Sequence, residues 1–229
     1  MKLLRLKELF KKNFFFLLPY FTFLIGGALL LIFSDKDKLH LYFNKYHNEY
    51  TNLIFYYITF LGDGWTALSI AIFLLFIRYR YSIIIVLSYL LSSTTVQILK
   101  RYVFNDHVRP ALFFKNNPDL YLIPGVDNNI FHSFPSGHST TAFAVYFGLA
   151  LFISNKWLKL CMLTLALLIA LSRVYLSQHF FEDIYAGSFI GVASTLLIYF
   201  LLSQNKQETG LDRSLIKKNK SLRTNNFFN

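Results

Sequence analysis

Six apolar stretches, near residues 14–34, 65–78, 81–99, 137–154, 158–176 and 184–202, constrain this chain more than any other feature. Most approach the roughly 20 residues that an α-helix needs to cross a bilayer. Inside hydrocarbon a backbone must satisfy its own hydrogen bonds, which leaves the helix as the economical solution for separate segments of this length. The expected fold is therefore all-α, a bundle of six transmembrane helices. The stretch 65–78 is short, and Gly62-Asp63-Gly64 separates it from an apolar run before it. Residues 39–62 are expected to form an amphipathic interfacial helix, with Asp63 capping the second span.

Six crossings put both ends of residues 1–202 on one side, and the charges indicate which. Of the 23 Lys and Arg residues, 15 lie at the two termini or in the connections after the second and fourth stretches. Only Glu8, Glu208 and Asp212 lie there among the acids. The positive-inside rule then makes that side cytoplasmic. The net charge of +11 is thus mainly a topology signal, reinforced by attraction to anionic lipids, and no nucleic-acid partner is expected. The basic start followed by an apolar run resembles a signal peptide. The run is long and has no small-x-small site before Asp35, so it reads as a retained span in a single membrane domain of residues 1–202. Residues 203–229 read as a polar, basic cytoplasmic tail. Cys161, the one cysteine, falls in the fifth stretch and defines neither a disulfide framework nor a metal site.

This topology carries three distant segments to the same, outer face. Lys100 and Arg101 end the third stretch, and Arg109 follows in the next loop. Pro135-Ser136-Gly137-His138 opens the fourth stretch. Arg173 ends the fifth, and His179 and Asp183 lead into the sixth. Ionisable groups at such positions are costly and mark a functional site. Pro135 suits the first turn of a helix whose free N–H groups would favour a phosphate. Gly137 would let the backbone approach closely, and Ser136 can donate a hydroxyl. Arg109 and Arg173 offer planar forks for phosphate oxygens, and Lys100 a point charge. His179 and Asp183, four apart, share a helix face, so the acid could fix the imidazole and leave its other nitrogen to attack phosphorus. His138 could protonate the departing alkoxide and then activate water. A metal held by His138, His179 and Asp183 is disfavoured, because the neighbouring cations would repel it.

Other polar residues read more plainly. Tyr175, Trp65 and Trp157 suit interfacial anchors. His40, His47, His107 and His132 suit the outer surface, with His132 and Ser133 adjoining the pocket. Glu182 reads as solvated, and Ser133 and Ser172 as interface residues. Tyr42, Phe43, Phe113 and Phe114 could line an acyl or prenyl entrance or simply pack. The loop from Phe104 to Phe134 is expected to cover the pocket and help choose the head group.

Pro135 to His138 and Ser172-Arg173-x5-His179-x3-Asp183 resemble, without departure, two of the three motifs of the type 2 phosphatidic acid phosphatase (PAP2) superfamily. The resemblance spans roughly residues 60 to 202. The first motif departs: eight residues separate Lys100 from Arg109 and seven separate Arg101 from it, where six are usual. Lys100 is the preferred match and Arg101 its rival. The resemblance implies that His179 is the phosphohistidine-forming nucleophile, Asp183 its partner, and His138 the general acid and base. It implies that Lys100, Arg109, Ser136, Gly137 and Arg173 hold the phosphate, with no metal or cofactor. The expected activity is hydrolysis of a phosphomonoester or pyrophosphate of an envelope lipid. Undecaprenyl pyrophosphate, phosphatidylglycerol phosphate, phosphatidic acid and lipid A all qualify. The composition looks bacterial, which suggests the inner membrane with the site on the periplasmic side. A lipid phosphotransferase or a non-enzymatic lipid-binding protein is the alternative. A vanadium haloperoxidase is disfavoured by the apolar spans. Oligomeric state stays open.

Overall fold

The structure, a computed structural model, describes residues 2–203 and 210–215. Most of the expected basic tail lies outside the described residues. The helices are α1 (Lys2–Lys12), α2 (Phe14–Phe33), α3 (Lys36–Asn44), α4 (Glu49–Ile58), α5 (Gly64–Leu75), α6 (Tyr79–Ile98), α7 (Pro110–Phe113), α8 (Gly137–Phe152), α9 (Lys156–Tyr175) and α10 (Phe181–Ser203). A 3-10 turn, Thr59–Gly62, continues α4, and a π turn, Leu99–Val103, continues α6. There is no strand among the described residues.

Four segments are long and apolar enough to cross a membrane: Phe14–Phe33, Tyr79–Val103, Lys156–Tyr175 and Phe181–Leu202. Glu49–Gly62 and Gly64–Leu75 form a pair bent by 57° that makes a fifth if counted as one span. The remaining expected span, the fourth stretch, is α8, which has 16 residues, about 24 Å at 1.5 Å per residue. Twelve of those residues are buried, so α8 is the central post of the bundle. Phe143 and Phe147 on α8 meet Tyr20 and Phe16 of α2, with ring centroids 5.5 Å and 4.9 Å apart. The outer side of α2 instead exposes Ile25, Leu29, Ile32 and Phe33, an apolar surface suited to lipid.

Small residues let α10 lie against α8. A Cβ added at Gly191 would come 2.5 Å from the Thr140 carbonyl oxygen, and one at Gly187 would come 2.7 Å from that of Ser136. Helices in membranes associate through such close backbone approach. This contact sets the start of α8 beside the start of α10.

Residues 39–62 are not one interfacial helix. Asn48 begins a new one: its side chain accepts from the Thr51 amide at 3.0 Å, and Thr51 Oγ1 accepts from the Asn48 amide at 3.3 Å. This reciprocal cap breaks the helix at residues 45–48. Contacts between segments fix several residues expected on the outer side. Tyr175 is buried rather than interfacial, its hydroxyl 2.6 Å from both Thr51 Oγ1 and Asn52 Oδ1. Glu182 accepts a bond from Lys36 Nζ at 2.5 Å. Phe43 stacks on Phe181, and Phe114 on His40. Asp212 in the segment 210–215 accepts from Arg80, and the Tyr79 amide donates to the Arg213 carbonyl at 2.9 Å.

His40 is buried, between Phe114 and Phe180, with Nε2 3.3 Å from Ser177 Oγ. Burial first, then the charges of His47 and Lys36, lowers its pKa to about 4. Unfolded, the imidazole titrates near its ordinary value of about 6.5. Between these values the unfolded chain binds more protons, so His40 costs stability as pH falls through that window. The full effect is on the order of 3 kcal/mol. Thermal melts of His40→Gln are therefore expected to lose less stability than wild type between about pH 7 and about pH 4.5. Parallel curves would remove His40 as the cause.

Candidate functional site

His179 sits in the short turn between α9 and α10. The Gln178 and His179 amides both donate to the Arg173 carbonyl, at 2.9 Å and 3.1 Å, so the chain folds back over the end of α9. Ser177 takes a positive φ of 51° in this turn, and its hydroxyl is held by Asn44 Nδ2 at 3.1 Å. Asp183, in the first turn of α10, is fully buried. Its Oδ2 lies 3.1 Å from His179 Nδ1, and accepts from the Phe180 amide at 2.9 Å and from Ser133 Oγ at 2.5 Å. Nδ1 is thereby the protonated nitrogen, and Nε2 has no partner among the described residues. Burial, then the charges of Arg109, Lys100, Arg173 and His138, push the His179 pKa well below its ordinary value. The ring is neutral, with its free lone pair at Nε2.

The Ser136 amide donates to the Asp183 carbonyl at 3.0 Å, which ties the second motif to the third. Ser136 is the N-cap of α8, and its Oγ accepts from the Ser139 amide at 3.4 Å. Pro135 therefore lies before the cap, not in the first helical turn, and Gly137 takes that turn. The Phe134–Pro135 bond is cis. A Cβ added at Gly137 would meet no atom within 4 Å, so open space adjoins the helix start. His138 Nε2 lies 2.6 Å from Asp63 Oδ1.

Three cations complete the site. Arg173 donates from one terminal nitrogen to Thr59 Oγ1 at 2.6 Å, and its Nε is buried without a partner. Arg109, the N-cap of α7, donates to the Phe131 carbonyl at 3.0 Å and to the carbonyl and Oε1 of Gln178 at 3.2 Å and 3.3 Å. Lys100 is buried in the π turn, whereas Arg101 is exposed. Lys100, Arg109 and Arg173 are each at most 9% exposed, yet none forms an ion pair with a carboxylate among the described residues. Buried charge ordinarily requires an opposite charge, so this cage is built for an anion. No group of three or more metal-ligating side chains with suitable geometry occurs among the described residues.

All eight candidate residues thus gather at one end of the bundle. Four further side chains hold them: Ser133, Asp63, Thr59 and Gln178. The sequence places Ser133 at the interface, adjoining the pocket, and Asp63 at a helix cap; Asp63 makes no side-chain cap bond to α5. An acid between two glycines in an apolar run was the available signal for Asp63. Thr59 and Gln178 are neutral polar residues with no distinguishing pattern around them. The loop from Phe104 to Phe134 is closed on itself by the Ser133 amide, which donates to the His107 carbonyl, and is tied to the turn that bears His179 by Gln178 Nε2, which donates to Asn128 Oδ1 at 2.7 Å.

The family model of the PAP2 superfamily matches residues 81–207. The lipid A 4'-phosphatase of Bacteroides thetaiotaomicron is 24% identical over 178 residues, covering 73% of this chain and 77% of that protein. The crystal structure of LpxE from Aquifex aeolicus superposes with a TM-score of 0.64 at 25% identity, over 73% of this chain and 96% of that one. A transmembrane PAP2 type phosphatidylglycerolphosphate phosphatase from Bacillus subtilis shares the fold, with a TM-score of 0.62 at 22% identity over 83% of this chain and 96% of its own.

Proposed function

Because the chain belongs to the PAP2 superfamily, we propose that it is a membrane lipid phosphate phosphatase that works through a phosphohistidine at His179. The observation that carries this reading is the cage of three buried cations without a carboxylate partner, beside a neutral histidine whose Nδ1 is fixed. A phosphoryl group supplies the missing negative charge. Arg109, Arg173 and Lys100 neutralise its oxygens, with Ser136 and the N–H groups at the start of α8 around Gly137. His179 Nε2 attacks phosphorus as the bond to the leaving oxygen breaks. His138 gives its proton to that oxygen. It then takes a proton from the water that displaces the histidine. Asp183 keeps the imidazole in the reactive tautomer and balances the charge it acquires. The cations perform the charge neutralisation that a metal would, so the reaction needs none.

The lipid portion has a route beside the site. A groove of about 550 Å³ between α5 and α6 begins at Asp63 and runs past Trp65, Ala67, Leu68 and Leu90. Its apolar walls suit an acyl or prenyl chain. With the apolar stretches read as six crossings of a bacterial inner membrane, the charge distribution favours both termini cytoplasmic and the site periplasmic. α8 can cross with only 16 residues because its neighbours, not lipid, surround it. Relatives named for lipid A and phosphatidylglycerolphosphate support an envelope lipid as substrate, with the Phe104 to Phe134 loop choosing the head group.

Phosphate release by purified protein in detergent tests the reading. The panel is undecaprenyl pyrophosphate, phosphatidylglycerol phosphate, phosphatidic acid and lipid A, each with and without EDTA. Release from at least one lipid, undiminished by EDTA, is expected. Silence across the panel would count against the activity, and loss with EDTA against the metal-free mechanism.

A further inference from the structure

We infer that Asp63 is a positioning residue for His138, so that the site contains a second acid–histidine pair on the side of the leaving group; this rests on the phosphatase reading above. The pair is close, 2.6 Å between His138 Nε2 and Asp63 Oδ1, and comes from parts of the chain 75 residues apart. Asp63 occupies the N-cap of α5, where an aspartate ordinarily accepts from the helix's own N–H groups. Here it makes no such bond. Nor does it pair with any lysine or arginine among the described residues. Its carboxylate is committed to the imidazole.

The backbone around Asp63 is built to bring it there. A Cβ added at Gly62 would come 2.6 Å from Ile169 Cγ2 and 3.1 Å from the His138 carbonyl oxygen, so a larger residue would push this segment off α8 and α9. A Cβ added at Gly64 would collide with the Tyr89 hydroxyl. The same 3-10 turn presents Thr59 to Arg173. The bend between α4 and α5 is therefore a working wall of the site, which places one side chain against a phosphate cation and the next against the proton carrier.

The chemistry follows from which nitrogen is engaged. With Nε2 held 2.6 Å from the Asp63 carboxylate, Nδ1 is the nitrogen that serves the reaction. In the first step the His179 Nε2–P bond forms, the P–O bond to the lipid breaks, and the proton on His138 Nδ1 passes to the departing oxygen. In the second, the water O–P bond forms, the N–P bond breaks, and Nδ1 takes the water proton. In both steps Asp63 holds the ring by Nε2 and stabilises its protonated form. An alkyl oxygen leaves poorly without a proton, whereas p-nitrophenolate leaves readily, so Asp63 should matter for the first and hardly for the second.

The test compares a lipid phosphate with p-nitrophenyl phosphate, using the full chain in detergent. Asp63→Asn is expected to lower kcat/KM, which reads the leaving-group step and not the later attack of water, by roughly 10²-fold for the lipid and by less than roughly threefold for the aryl phosphate. Asp63→Glu should restore part of the lipid activity. Added to His138→Ala, Asp63→Asn should have no further effect, since the two residues act as one unit. Equal losses on both substrates would make Asp63 merely structural, and unchanged or increased lipid turnover would also overturn the inference. If the variant does not fold, Asp63→Glu alone decides, by the same selective loss or its absence. Wild-type protein inactive on both substrates would overturn the phosphatase reading, and this inference with it; wild-type activity with an unselective Asp63 variant overturns this inference alone.

Discussion

His179→Ala is expected to reduce phosphate release from the preferred lipid by about 10⁴-fold or more, with the protein still folded. The imidazole is buried and its loss costs some stability, but the turn around it is held by backbone bonds from residues 178 and 179 to Arg173. Its removal takes away the imidazole nitrogen that has no hydrogen-bond partner among the described residues and lies beside the three buried cations. Asp183→Asn should come within an order of magnitude of the same loss, because an amide cannot accept equivalently from His179, Phe180 and Ser133 together and can favour the wrong tautomer. It should also destabilise the protein, since Ser133 and the Phe180 amide would face a poorer acceptor in a buried place. Steady-state assays on both variants, with melts as controls, check the pair. A His179→Ala protein retaining a tenth of wild-type turnover would remove this residue as nucleophile.

The second large effect is structural. Gly191→Val should deplete the folded protein, with a cost of about 3 kcal/mol or more, because the new side chain would press on backbone rather than on a side chain that can move. The Thr140 carbonyl and the Ala144 amide lie 2.5 Å and 2.9 Å from a Cβ at this position. Separating α8 from α10 would also separate Ser136 from Asp183, so activity should fall faster than yield. Gly26→Val on α2 is the control, because a Cβ there meets nothing within 4 Å. Melting temperature and detergent-extracted yield of the two variants measure the difference. Equal behaviour would mean that the close approach of α8 and α10 does not carry the bundle.

The apolar stretches and the charge-bearing motifs were readable because each depends on local pattern. The starts of α8, α9 and α10 fall within three residues of the stretches that predict them. The gathering of Arg109, His138, Arg173, His179 and Asp183 at one end follows from counting crossings. What escaped depends on contacts between segments. Tyr175 looks like a belt residue until Asn52 and Thr51 are seen to receive it. His40 looks exposed until Phe114 and Phe180 close over it. Lys100 and Arg101 are adjacent cations, and the π turn that buries one and exposes the other has no sequence signature. Asp63 was visible as an intramembrane acid, but a cap was the nearer local explanation, and the partner that replaces it lies on another helix.

Rapid quenching during turnover of a lipid carrying labelled phosphate reads the covalent bond between His179 and phosphorus. Label is expected on the peptide containing His179, stable in alkali and lost in acid, and absent from His179→Ala. Turnover with no protein-bound label at any quench time, or label on a different residue, would contradict it.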